Sequence, residues 1–538
     1  MATAPHAVQS QLFALNFGVA PVPRRKAPGL RKEPRLRSID RMKPHVYLIG
    51  AGPGDPELLT LRGAKCLQHS DVVLYDGLSN AEILRLAPHA EHICVGKHGQ
   101  SRIWKQQEII DEMLRHAHQG KSVARLKGGD PAVFARTAEE VDALLEAEIP
   151  FEIVPGITAA LAAGSYAGIP ITHRKLASAV ALVTGHEEPG KSESALDWDA
   201  LAIFPGTLVI YMGVTTAKIW TEALIAAGKD PATPTALVRR CSHPDQTTIH
   251  CRLDQVADRL TPASKFRPPV IAIIGAVTTL ADTMNWIDKR PIHGQTIVVT
   301  RPTDQANSLA DAIRDYGGHP IIAPAIEIKP LDDFSALDDS INRLKFTSLL
   351  IFCSANGVEH YFRRLRQLQK DSRLLAGTSI AVVGRKTELA LLEHGIRADI
   401  VPDDYRATSL LKALRSWVPN ETVTLVRASR GSDELPVKLR EVGADVEEVV
   451  AYQNIDVERP DPDVMDAMID RRIDWITVTS SATAKNLYRL YGDGLKQFRL
   501  AAISPVTAET LRDLGLQVDA VANPYTTEAL LDEIVKQS

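Results

Sequence analysis

The stretch VYLIGAGPGDPELLTL, residues 46–61, joins an apolar run to a glycine-rich turn and then to a helical pattern. An apolar run of this length that ends in glycine and proline is typical of a buried strand in an α/β protein. The same alternation of short apolar runs with helical patterns continues to about residue 285. These residues are therefore predicted to form an α/β fold with a largely buried sheet.

The spacing of the glycines in this turn differs from that of the common nucleotide-binding loops. Residues 50–54 read G-x-G-x-G, whereas a dinucleotide fingerprint reads G-x-G-x-x-G, and no P-loop Lys-Ser/Thr pair follows. Asp55 is expected to cap the next helix, with Pro56 at its first position, so a carboxylate occupies the place of a pyrophosphate. The loop is predicted to approach a ligand without phosphates, and a simple tight turn is the alternative.

Two later loops have a similar composition. RLKGGDPAVF, residues 125–134, again combines a strand-like run with glycines, and Asp130 is expected to cap a helix that begins at Pro131. VPGITAALAAGSYAGIP, residues 154–170, is rich in Ala and Gly, which allows a flat or large ligand to come close; tight helix packing is the alternative. Because ligands of open α/β sheets bind at the carboxyl ends of strands, these loops are predicted to frame one pocket.

Length and composition limit the classes of function. The chain has 538 residues, enough for about three or four domains of ordinary size. Its net charge of −4 provides no global basic field for nucleic acid, so an anionic ligand requires a local basic site. Five cysteines without a CxxC pair indicate reduced thiols in the cytoplasm and no metal site. No apolar run approaches the roughly 20 residues of a membrane-spanning helix, so no membrane partner is expected.

Two segments are predicted to lie outside the folded domains. Residues 1–41 contain eight Lys or Arg residues, several prolines and no lasting apolar periodicity, and are expected to form a flexible basic arm. An arginine-rich targeting peptide is the alternative interpretation. Residues 288–293 combine charges with proline and are predicted to be a linker between two halves of the chain.

The second half of the chain contains an internal repeat. Two pairs of strand-like runs are each separated by 126 residues, namely TIVVTR (from Thr296) with TVTLVR (from Thr422) and LLIFCSANGV (from Leu349) with WITVTSSATA (from Trp475). A third pair, which includes Thr387 and Thr507, is separated by 120 residues. This period is too long for a solenoid, so the repeat predicts two similar α/β lobes that face one cleft.

The order of motifs in the first half resembles the uroporphyrinogen-III C-methyltransferases of the tetrapyrrole methylase family. The motifs are GAGPGDPELLTL, YDGL, VGK, RLKGGDP, VPGITAALAAGSYAGIPITHR, VTGHE and LVIYMG, and the resemblance covers about residues 44–287. It implies a two-lobed methylase over residues 42–287, with lobes of about 42–157 and 158–287. It also implies S-adenosylmethionine (SAM) as the methyl donor and a homodimer formed through this half.

The resemblance implies roles for individual residues. The residues implied to bind SAM are Pro53, Gly128, Gly129, Asp130, Val133, Thr158, Ala159, Met212 and Cys241. Asp76 and Lys97 match the catalytic pair of the family. In this reaction a pyrrole carbon attacks a sulfonium methyl group as a proton leaves the macrocycle, and Asp76 is expected to accept that proton. Lys97 is expected to hold a substrate carboxylate or to stabilise developing charge. A strand-end cap and a solvated lysine are the alternatives.

The sequence departs from the family pattern at several positions. His98, Gly99 and Gln100 follow VGK where the family has Arg-Ala-Gly, and Arg102 is a candidate replacement for the missing arginine. Cys241 stands where a glycine is common. These departures affect the expected contacts to substrate carboxylates more than those to SAM.

The second half resembles uroporphyrinogen-III synthase over about residues 294–535. The motifs are VVTRP, SANGV, VAYQN, TSSATAKN, SPVTAETL and NPYTTEALL. The resemblance implies a synthase domain over 294–538 with two duplicated lobes, the second inserted in the first. The first lobe is expected at about 294–328 plus 456–538, and the second at about 329–455.

The substrate of that family, hydroxymethylbilane, is a linear polycarboxylate, which requires hydroxyl groups, backbone N–H donors and cations in a cleft. The residues expected to bind it are Arg301, Ser354, Asn356, Arg427, Arg430, Thr479, Ser480, Ser481, Thr507, Tyr525 and Thr526. Tyr452 matches the tyrosine that is thought to help the substrate hydroxyl leave. No cofactor is expected for this half, and a helix cap is the alternative role of each Ser or Thr.

These resemblances imply a bifunctional enzyme of tetrapyrrole biosynthesis. The C-terminal half is expected to form uroporphyrinogen III with inversion of one ring, and the N-terminal half to methylate it twice to precorrin-2. One alternative is a methylase joined to a synthase-like half that binds tetrapyrrole without turning it over. Another is a methylase of a different corrinoid intermediate. A nicotinamide oxidoreductase is disfavoured by the glycine spacing.

Overall fold

The computed structural model describes residues 45–96, 104–186, 195–264, 266–402, 407–414, 418–431 and 433–538. These residues contain four five-stranded sheets, two in each half of the chain, with helices packed against them. The predicted fold class, a two-lobed α/β methylase fold followed by a two-lobed α/β synthase fold, is confirmed. The predicted basic arm lies outside the described residues, and the predicted domain boundaries stay a prediction.

The first sheet is entirely parallel, with strand order β3-β2-β4-β1-β5. Its strands are β1 (Val46–Gly50), β2 (Val72–Tyr75), β3 (Glu91–Cys94), β4 (Val123–Lys127) and β5 (Phe151–Val154). The helices packed around it are α1 (Leu61–Gln68), α2 (Gln106–His118) and α3 (Thr137–Glu146). β1 and β4 are buried along their whole length, because helices cover both faces of the parallel sheet.

The second sheet is mixed, with order β6-β7-β10-β8-β9 and β10 antiparallel to both of its neighbours. Its strands are β6 (Val180–Thr184), β7 (Thr207–Tyr211), β8 (Pro234–Arg239), β9 (Thr247–Arg252) and β10 (Val270–Ile274). Its helices are α4 (Ala159–Tyr166), α5 (Trp198–Ala202), α6 (Ala217–Ala226), α7 (Val256–Arg259) and α8 (Ala281–Met284). The alanines of α4 pack directly on this sheet, so the small residues of the third loop serve close helix packing.

The C-terminal half contains ten strands and ten helices in its described residues. The strands are β11 (Thr296–Val299), β12 (His319–Ile322), β13 (Ile326–Lys329), β14 (Leu349–Phe352), β15 (Ser379–Val382), β16 (Thr422–Ala428), β17 (Asp445–Asp456), β18 (Trp475–Val478), β19 (Arg499–Ala502) and β20 (Ala520–Val521). The helices are α9 (Thr303–Asp315), α10 (Ser335–Arg343), α11 (Ala355–Gln367), α12 (Arg385–Glu393), α13 (Ala407–Leu414), α14 (Glu434–Glu441), α15 (Pro462–Ile469), α16 (Ser481–Tyr491), α17 (Pro505–Asp513) and α18 (Thr527–Val535).

The two sheets of this half are related by the sequence repeat. One sheet has order β12-β11-β18-β19-β20 and the other β13-β17-β16-β14-β15. The repeated runs occupy equivalent positions, because β11 and β18 are neighbours in one sheet as β16 and β14 are in the other. The strands of the second sheet lie between β12 and β18 in the chain, so one lobe is inserted in the other. The antiparallel pair of β13 and β17 marks the crossing between the lobes.

The two halves contact each other directly. Arg314 of α9 donates to Glu82 Oε1 at 2.6 Å, and Arg85 donates to Asn307 Oδ1 at 3.0 Å. Ile292, within the predicted linker, is fully buried in the core beneath β11. The connection between the halves is therefore packed against the C-terminal half. No helix in the described ranges is long and apolar enough to cross a membrane.

Candidate functional site

The three glycine-rich loops of the first half meet through their backbones. Gly52 N donates to Gly129 O at 3.2 Å, and Gly129 N donates to Gly52 O at 2.8 Å. A Cβ on Gly50 would lie 2.5 Å from Gly156 Cα, so no larger residue fits at position 50. The loops after β1, β4 and β5 thus form one backbone surface at the carboxyl ends of the strands, where open α/β sheets bind ligands.

Asp55 and Asp130 have carboxylates that are already occupied by the protein. Asp55 caps the 3₁₀ turn that begins at Pro56, as predicted, and accepts from the Tyr166 hydroxyl at 3.0 Å. Asp130 accepts from Ala132 N at 2.7 Å and from Gly156 N at 2.9 Å, which ties the second loop to the third.

The predicted helix at Pro131 is wrong. Residues 131–136 form turns, and α3 begins only at Thr137. Phe134 and Arg136 both have φ of 52°, a left-handed conformation that a right-handed helix excludes.

The second lobe contributes a tyrosine that orders the start of α4. The Tyr211 hydroxyl lies 2.6 Å from Thr158 Oγ1 and accepts from Ala160 N at 2.9 Å. The ring of Phe134, from the first lobe, lies 5.0 Å from the Tyr211 ring. Thr158 and the loop after β4 are therefore held together across the cleft between the lobes.

The remaining SAM-contact candidates lie around the same helix start. Cys241 Sγ lies 3.8 Å from Ala159 O, and burial raises the pKa of its thiol to about 12, so the side chain is uncharged at neutral pH. Val133 and Ala159 pack against one hydrophobic cluster. Met212 has φ of 54° and a half-exposed side chain. Pro53 is half-buried between Gly52 and Gly54.

Left-handed backbone conformations are concentrated around these loops. In the described part of the chain, five of the nine non-glycine residues with positive φ lie here, namely Phe134, Arg136, Met212, Arg240 and Ser242. Such conformations cost roughly 1–3 kcal/mol each and accumulate where the surrounding structure maintains a binding site. Their position supports the assignment of this region as a ligand site.

Asp76 is part of a buried ionic network that the sequence did not reveal. Arg125 of β4 donates from Nη2 to Asp76 Oδ1 at 2.5 Å, and its Nε lies 3.2 Å from Glu140 Oε1. Lys127 forms an ion pair with the other oxygen of Glu140, and Gln106 donates to Glu140 at 3.3 Å. Arg125, Lys127 and Glu140 are buried, whereas Asp76 is 28% exposed. Asp76 is thus the charged member of the network that is accessible to a ligand.

The network holds a positive charge beside Asp76. Burial disfavours the charged form of Arg125, but Asp76 and Glu140 more than offset this and raise its pKa. Burial lowers the pKa of Lys127, although Glu140 opposes the shift. Among the described residues, hydrogen-bond donation to the Asp76 carboxylate reaches only Oδ1. Oδ2 therefore remains available to another partner.

Lys97 lies outside the described residues, as do His98, Gly99, Gln100 and Arg102. The structure describes the chain up to Gly96, where a Cβ would overlap the backbone nitrogen of Gly77. The loops that follow β2 and β3 are therefore in contact at that point.

The C-terminal half contains a cleft of about 490 Å³ between its lobes. Residues that line it include Arg301, Gln305, Ser354, Asn356, Lys386, Thr387, Thr527 and Glu528. Arg301 donates to Gln305 Oε1 at 2.8 Å, and Gln305 Nε2 donates to Asn356 Oδ1 at 3.1 Å. This chain of hydrogen bonds links the two lobes. The cleft brings together three predicted residues, Arg301, Ser354 and Asn356.

Four helices begin at this cleft. They are α9, α11, α12 and α18, whose first turns carry Gln305, Asn356, Thr387 and Glu528. Helix N-termini attract carboxylates through their free N–H groups and partial positive charge. Burial lowers the pKa of Arg301 and of Lys386, which places two desolvated cations in the same cleft. The cleft therefore suits a ligand with several carboxylates.

Tyr452 lies in β17 beside this cleft. Its hydroxyl lies 3.0 Å from Ser354 Oγ, which also accepts from Gly357 N to cap α11. The His360 ring stacks on Tyr452 at 5.3 Å, and burial raises the pKa of the phenol. Tyr452 is therefore protonated at neutral pH and positioned next to a lining residue.

The other predicted substrate contacts do not line this cavity. Arg427 is paired with Asp433 and Glu448, and Arg430 with Asp456. Ser480 caps α16 and Thr526 caps α18. The Ser481 hydroxyl accepts a hydrogen bond from Thr510, and Thr507 is buried. Thr479 directly follows β18, and Tyr525 is half-exposed. Half of this group thus has another local role: Ser480 and Thr526 have the alternative role of a helix cap, and Arg427 and Arg430 are in ion pairs.

The site residues predicted from the sequence did not include Arg125, Lys127 and Glu140 in the first half, or Gln305 and Lys386 in the second. One signal was available, since Arg125 and Lys127 are two residues apart in a strand-like run and so point to the same face. Two cations on one face of a buried strand require a buried acid. Nothing in the local sequence identifies Glu140 as that acid, because it belongs to the following helix.

Comparison with known proteins identifies both halves. The family model described as tetrapyrrole (corrin/porphyrin) methylases matches residues 45–257, and that of uroporphyrinogen-III synthase HemD matches residues 307–532. The porphyrin biosynthesis protein HemD of Ruminiclostridium josui is 33% identical over 494 residues, which cover 91% of this chain and 97% of that protein.

Two further proteins match the first half. An S-adenosyl-L-methionine-dependent uroporphyrinogen III methyltransferase of Methanosarcina barkeri is 46% identical over 240 residues, which cover 44% of this chain and 94% of that protein. A crystal structure of a Thermus thermophilus uroporphyrin-III C-methyl transferase with S-adenyl homocysteine is 44% identical, with a TM-score of 0.39, and covers 44% of this chain and 99% of its own. Because the full-length match spans both halves, the chain belongs to the tetrapyrrole methylase family in its N-terminal half and to the uroporphyrinogen-III synthase family in its C-terminal half.

Proposed function

We propose that this chain is a bifunctional enzyme of tetrapyrrole biosynthesis. The C-terminal half cyclises hydroxymethylbilane to uroporphyrinogen III, and the N-terminal half transfers two methyl groups from SAM to that product to give precorrin-2. The observation that carries the proposal is the presence in one chain of a cation-lined cleft and of three joined glycine loops beside Asp76, in halves that match the two families.

The composition of the loop site fits SAM. The site presents backbone, apolar side chains and an uncharged thiol, and the two nearby aspartates are already bonded to the protein. The residues that would hold SAM are Pro53, Gly128, Gly129, Val133, Thr158, Ala159 and Met212, with Cys241 and Asp130 supporting the loops. SAM supplies an electrophilic methyl group on a sulfonium centre.

Asp76 serves as the proton acceptor of methylation in this proposal. Arg125 fixes Oδ1, and Oδ2 has no hydrogen-bond donor among the described residues, so its lone pairs are free to accept a proton. As a pyrrole carbon forms its bond to the methyl group, the macrocycle must lose a proton, and a positioned carboxylate accelerates that loss. Glu140 acts through Arg125 and is a positioning residue. Lys97 keeps its proposed role toward a substrate carboxylate.

Tyr452 serves as the proton donor of cyclisation. Its buried phenol, hydrogen-bonded with Ser354, can protonate the hydroxyl that leaves the substrate as water. Arg301, Lys386 and the four helix N-termini hold substrate carboxylates and orient the chain for closure. No cofactor takes part in this half of the proposal.

The test is incubation of the purified protein with hydroxymethylbilane, with and without SAM, followed by chromatography and mass spectrometry. We expect the type III isomer without SAM and a gain of two methyl groups with it. Methylation of supplied uroporphyrinogen III without any cyclisation would instead indicate a synthase-like half that only binds tetrapyrrole. Cyclisation without methylation of that product would indicate a methylase of another corrinoid intermediate.

A homodimer formed through the methylase half is part of the proposal. β5 and β6 are edge strands of their sheets and expose the apolar residues Ile153 and Leu182, and Leu161 of α4 is 53% exposed. Exposed apolar side chains on sheet edges favour association. Light scattering during size-exclusion chromatography should give the mass of two chains, and Leu161→Glu should reduce that mass.

A cytoplasmic location stays a prediction. It is consistent with the five cysteines, all of which are unpaired.

A further inference from the structure

A cavity of about 860 Å³ lies between the two halves of the chain. The first half lines it with the turn at Gly54–Pro56 and with residues 77–82, and the second half lines it with Arg314 and residues 317–319. Its volume is within the range of about 300–1,000 Å³ that is usual for small-molecule sites. Neither half alone encloses this space.

The lining is strongly cationic. Its arginines are Arg239, Arg240, Arg267, Arg290 and Arg314. The only carboxylates among its described lining residues are those of Asp55 and Glu82. Asp55 is bonded to Glu57 N and the Tyr166 hydroxyl, and Glu82 is paired with two arginines. The cationic excess is therefore not neutralised by the cavity's own acids.

Two of these arginines have no acidic partner among the described residues. Arg239 and Arg240 share Asp245, and Arg314 is paired with Glu82. Within the described part of the chain, Arg267 and Arg290 form no ion pair. Arg290 lies over the Trp286 ring at 4.5 Å and donates from Nη1 to the backbone oxygen of Arg314 at 3.0 Å, which leaves its charge without an acidic partner. Guanidinium groups in a cavity favour carboxylates, which they bind through two parallel hydrogen bonds.

The cavity adjoins the proposed methylation site and is separate from the cyclisation cleft. Its wall at Gly77–Asn80 directly follows Asp76 in the chain. On the other side, His319 is the first residue of β12, at the amino end of the sheet, whereas Arg301 follows the carboxyl end of the neighbouring strand β11. The two cavities thus lie at opposite ends of one sheet, about 13 Å apart along a four-residue strand.

We infer that this cavity binds the carboxylate side chains of the macrocyclic tetrapyrrole that is methylated, so that the synthase half supplies part of the methylase substrate site. The inference rests on the proposed function. It assigns Arg267 and Arg290 as cations for those carboxylates, in addition to any contact made by Lys97. It also accounts for the packed connection between the halves, because the cavity exists only when both are in place.

The test uses the full chain and uroporphyrin III, the oxidised and fluorescent form of the macrocycle, as the probe. The double variant Arg267→Glu/Arg290→Gln should weaken uroporphyrin binding at least about tenfold and reduce its dependence on salt. The KM of methylation should rise by a similar factor with little change in kcat. The matched control is Arg259→Glu/Lys289→Gln, which makes the same charge change at exposed residues outside the cavity.

The outcomes separate this inference from the proposed function. If the wild-type protein methylates and the double variant binds uroporphyrin III with unchanged affinity, the inference is overturned and the proposed function is left intact. If citrate displaces bound uroporphyrin III as strongly as uroporphyrinogen does, the cavity is a general anion site, and this result would also overturn the inference. Absence of methylation by the wild-type protein would refute the proposed function itself. Cyclisation by the double variant checks that its C-terminal half is folded.

Discussion

The two proposed active sites use charge in opposite ways. Around Asp76 the partner charges are buried, paired with one another and carried by a strand and a helix of the same lobe. In the synthase cleft the cations Arg301 and Lys386 lie between two lobes that contact through side chains such as Gln305 and Asn356. The first arrangement positions one carboxylate rigidly, whereas the second can adjust to a flexible linear substrate. The comparison shows that buried partner charges can hold a catalytic carboxylate in place, whereas cations at a boundary between lobes can follow the shape of the substrate.

The largest expected effect separates the two sites by removing the proton acceptor. Asp76→Asn should lower kcat of methylation by about 10²–10⁴, because general base catalysis contributes that much. SAM affinity, measured by calorimetry, should be retained, since Asp76 is not among the SAM contacts. Cyclisation in the same preparation is the control. A comparable loss of cyclisation in the folded variant would contradict independent sites.

The buried network is tested at its centre by Glu140→Gln. This change leaves Arg125 and Lys127 with one carboxylate between them, and loss of one partner in a buried ion pair costs about 3–5 kcal/mol. The free energy of unfolding of the N-terminal half, measured with denaturant, should report this loss. Methylation should lose rate more than affinity, because Arg125 no longer holds Asp76 in place.

The neighbouring Glu139→Gln is the matched control for that experiment. Glu139 pairs with Arg136 at the surface, where an ion pair contributes little. Equal stability of the two variants would show that the network at Glu140 is not structural. Equal methylation rates at full occupancy would remove Glu140 from its positioning role.

Tyr452→Phe tests the synthase site without disturbing its cations. The phenol is lost while the ring that stacks on His360 is kept, so cyclisation should slow by about 10², the lower end of general acid catalysis. Methylation of supplied uroporphyrinogen III should be unaffected. Unchanged cyclisation, as measured by product chromatography, would exclude Tyr452 as the proton donor.

The smallest effect concerns His243, which contacts the glycine turn. Desolvation lowers its pKa to about 4, with Arg240 adding to the shift. The folded state therefore binds fewer protons than the unfolded state between pH 4 and about 6.5, and stability falls as pH falls through this window. This one group changes the free energy of unfolding by at most about 1.4 kcal/mol per pH unit. In urea unfolding, the free energy of unfolding of His243→Asn should depend less steeply on pH than that of the wild-type protein. An identical pH dependence would contradict the assignment.

Much of the architecture could be predicted from local sequence. The apolar runs and glycine turns of residues 46–285 predicted strands and loops that the structure contains, because buried parallel strands have a nearly continuous apolar sequence. The repeat in the second half predicted two similar lobes, because similar runs adopt equivalent positions in their sheets. The cap formed by Asp55 followed from residue type and position.

Other features could not be predicted, because they depend on residues that are distant in the chain. Asp130 was expected to cap a helix, but it bonds to Gly156 of the third loop and the following residues form turns. Three residues with hydroxyl groups expected to bind substrate, Ser354, Ser480 and Thr526, cap their own helices, since a capping serine and a binding serine have the same local sequence.

By itself the sequence determined the class of fold, the order of the domains, the identity of both families and the candidate residue Asp76, because these depend on periodicity and on short motifs. Only the tertiary structure decided how Asp76 is held and where the halves meet. Asp76, Arg125 and Glu140 come from three different elements, and the cavity between the halves joins residues 54–82 to residues 314–319. The physical reason is that a buried charge needs a partner in space, and the chain fold, not the spacing in sequence, brings that partner close.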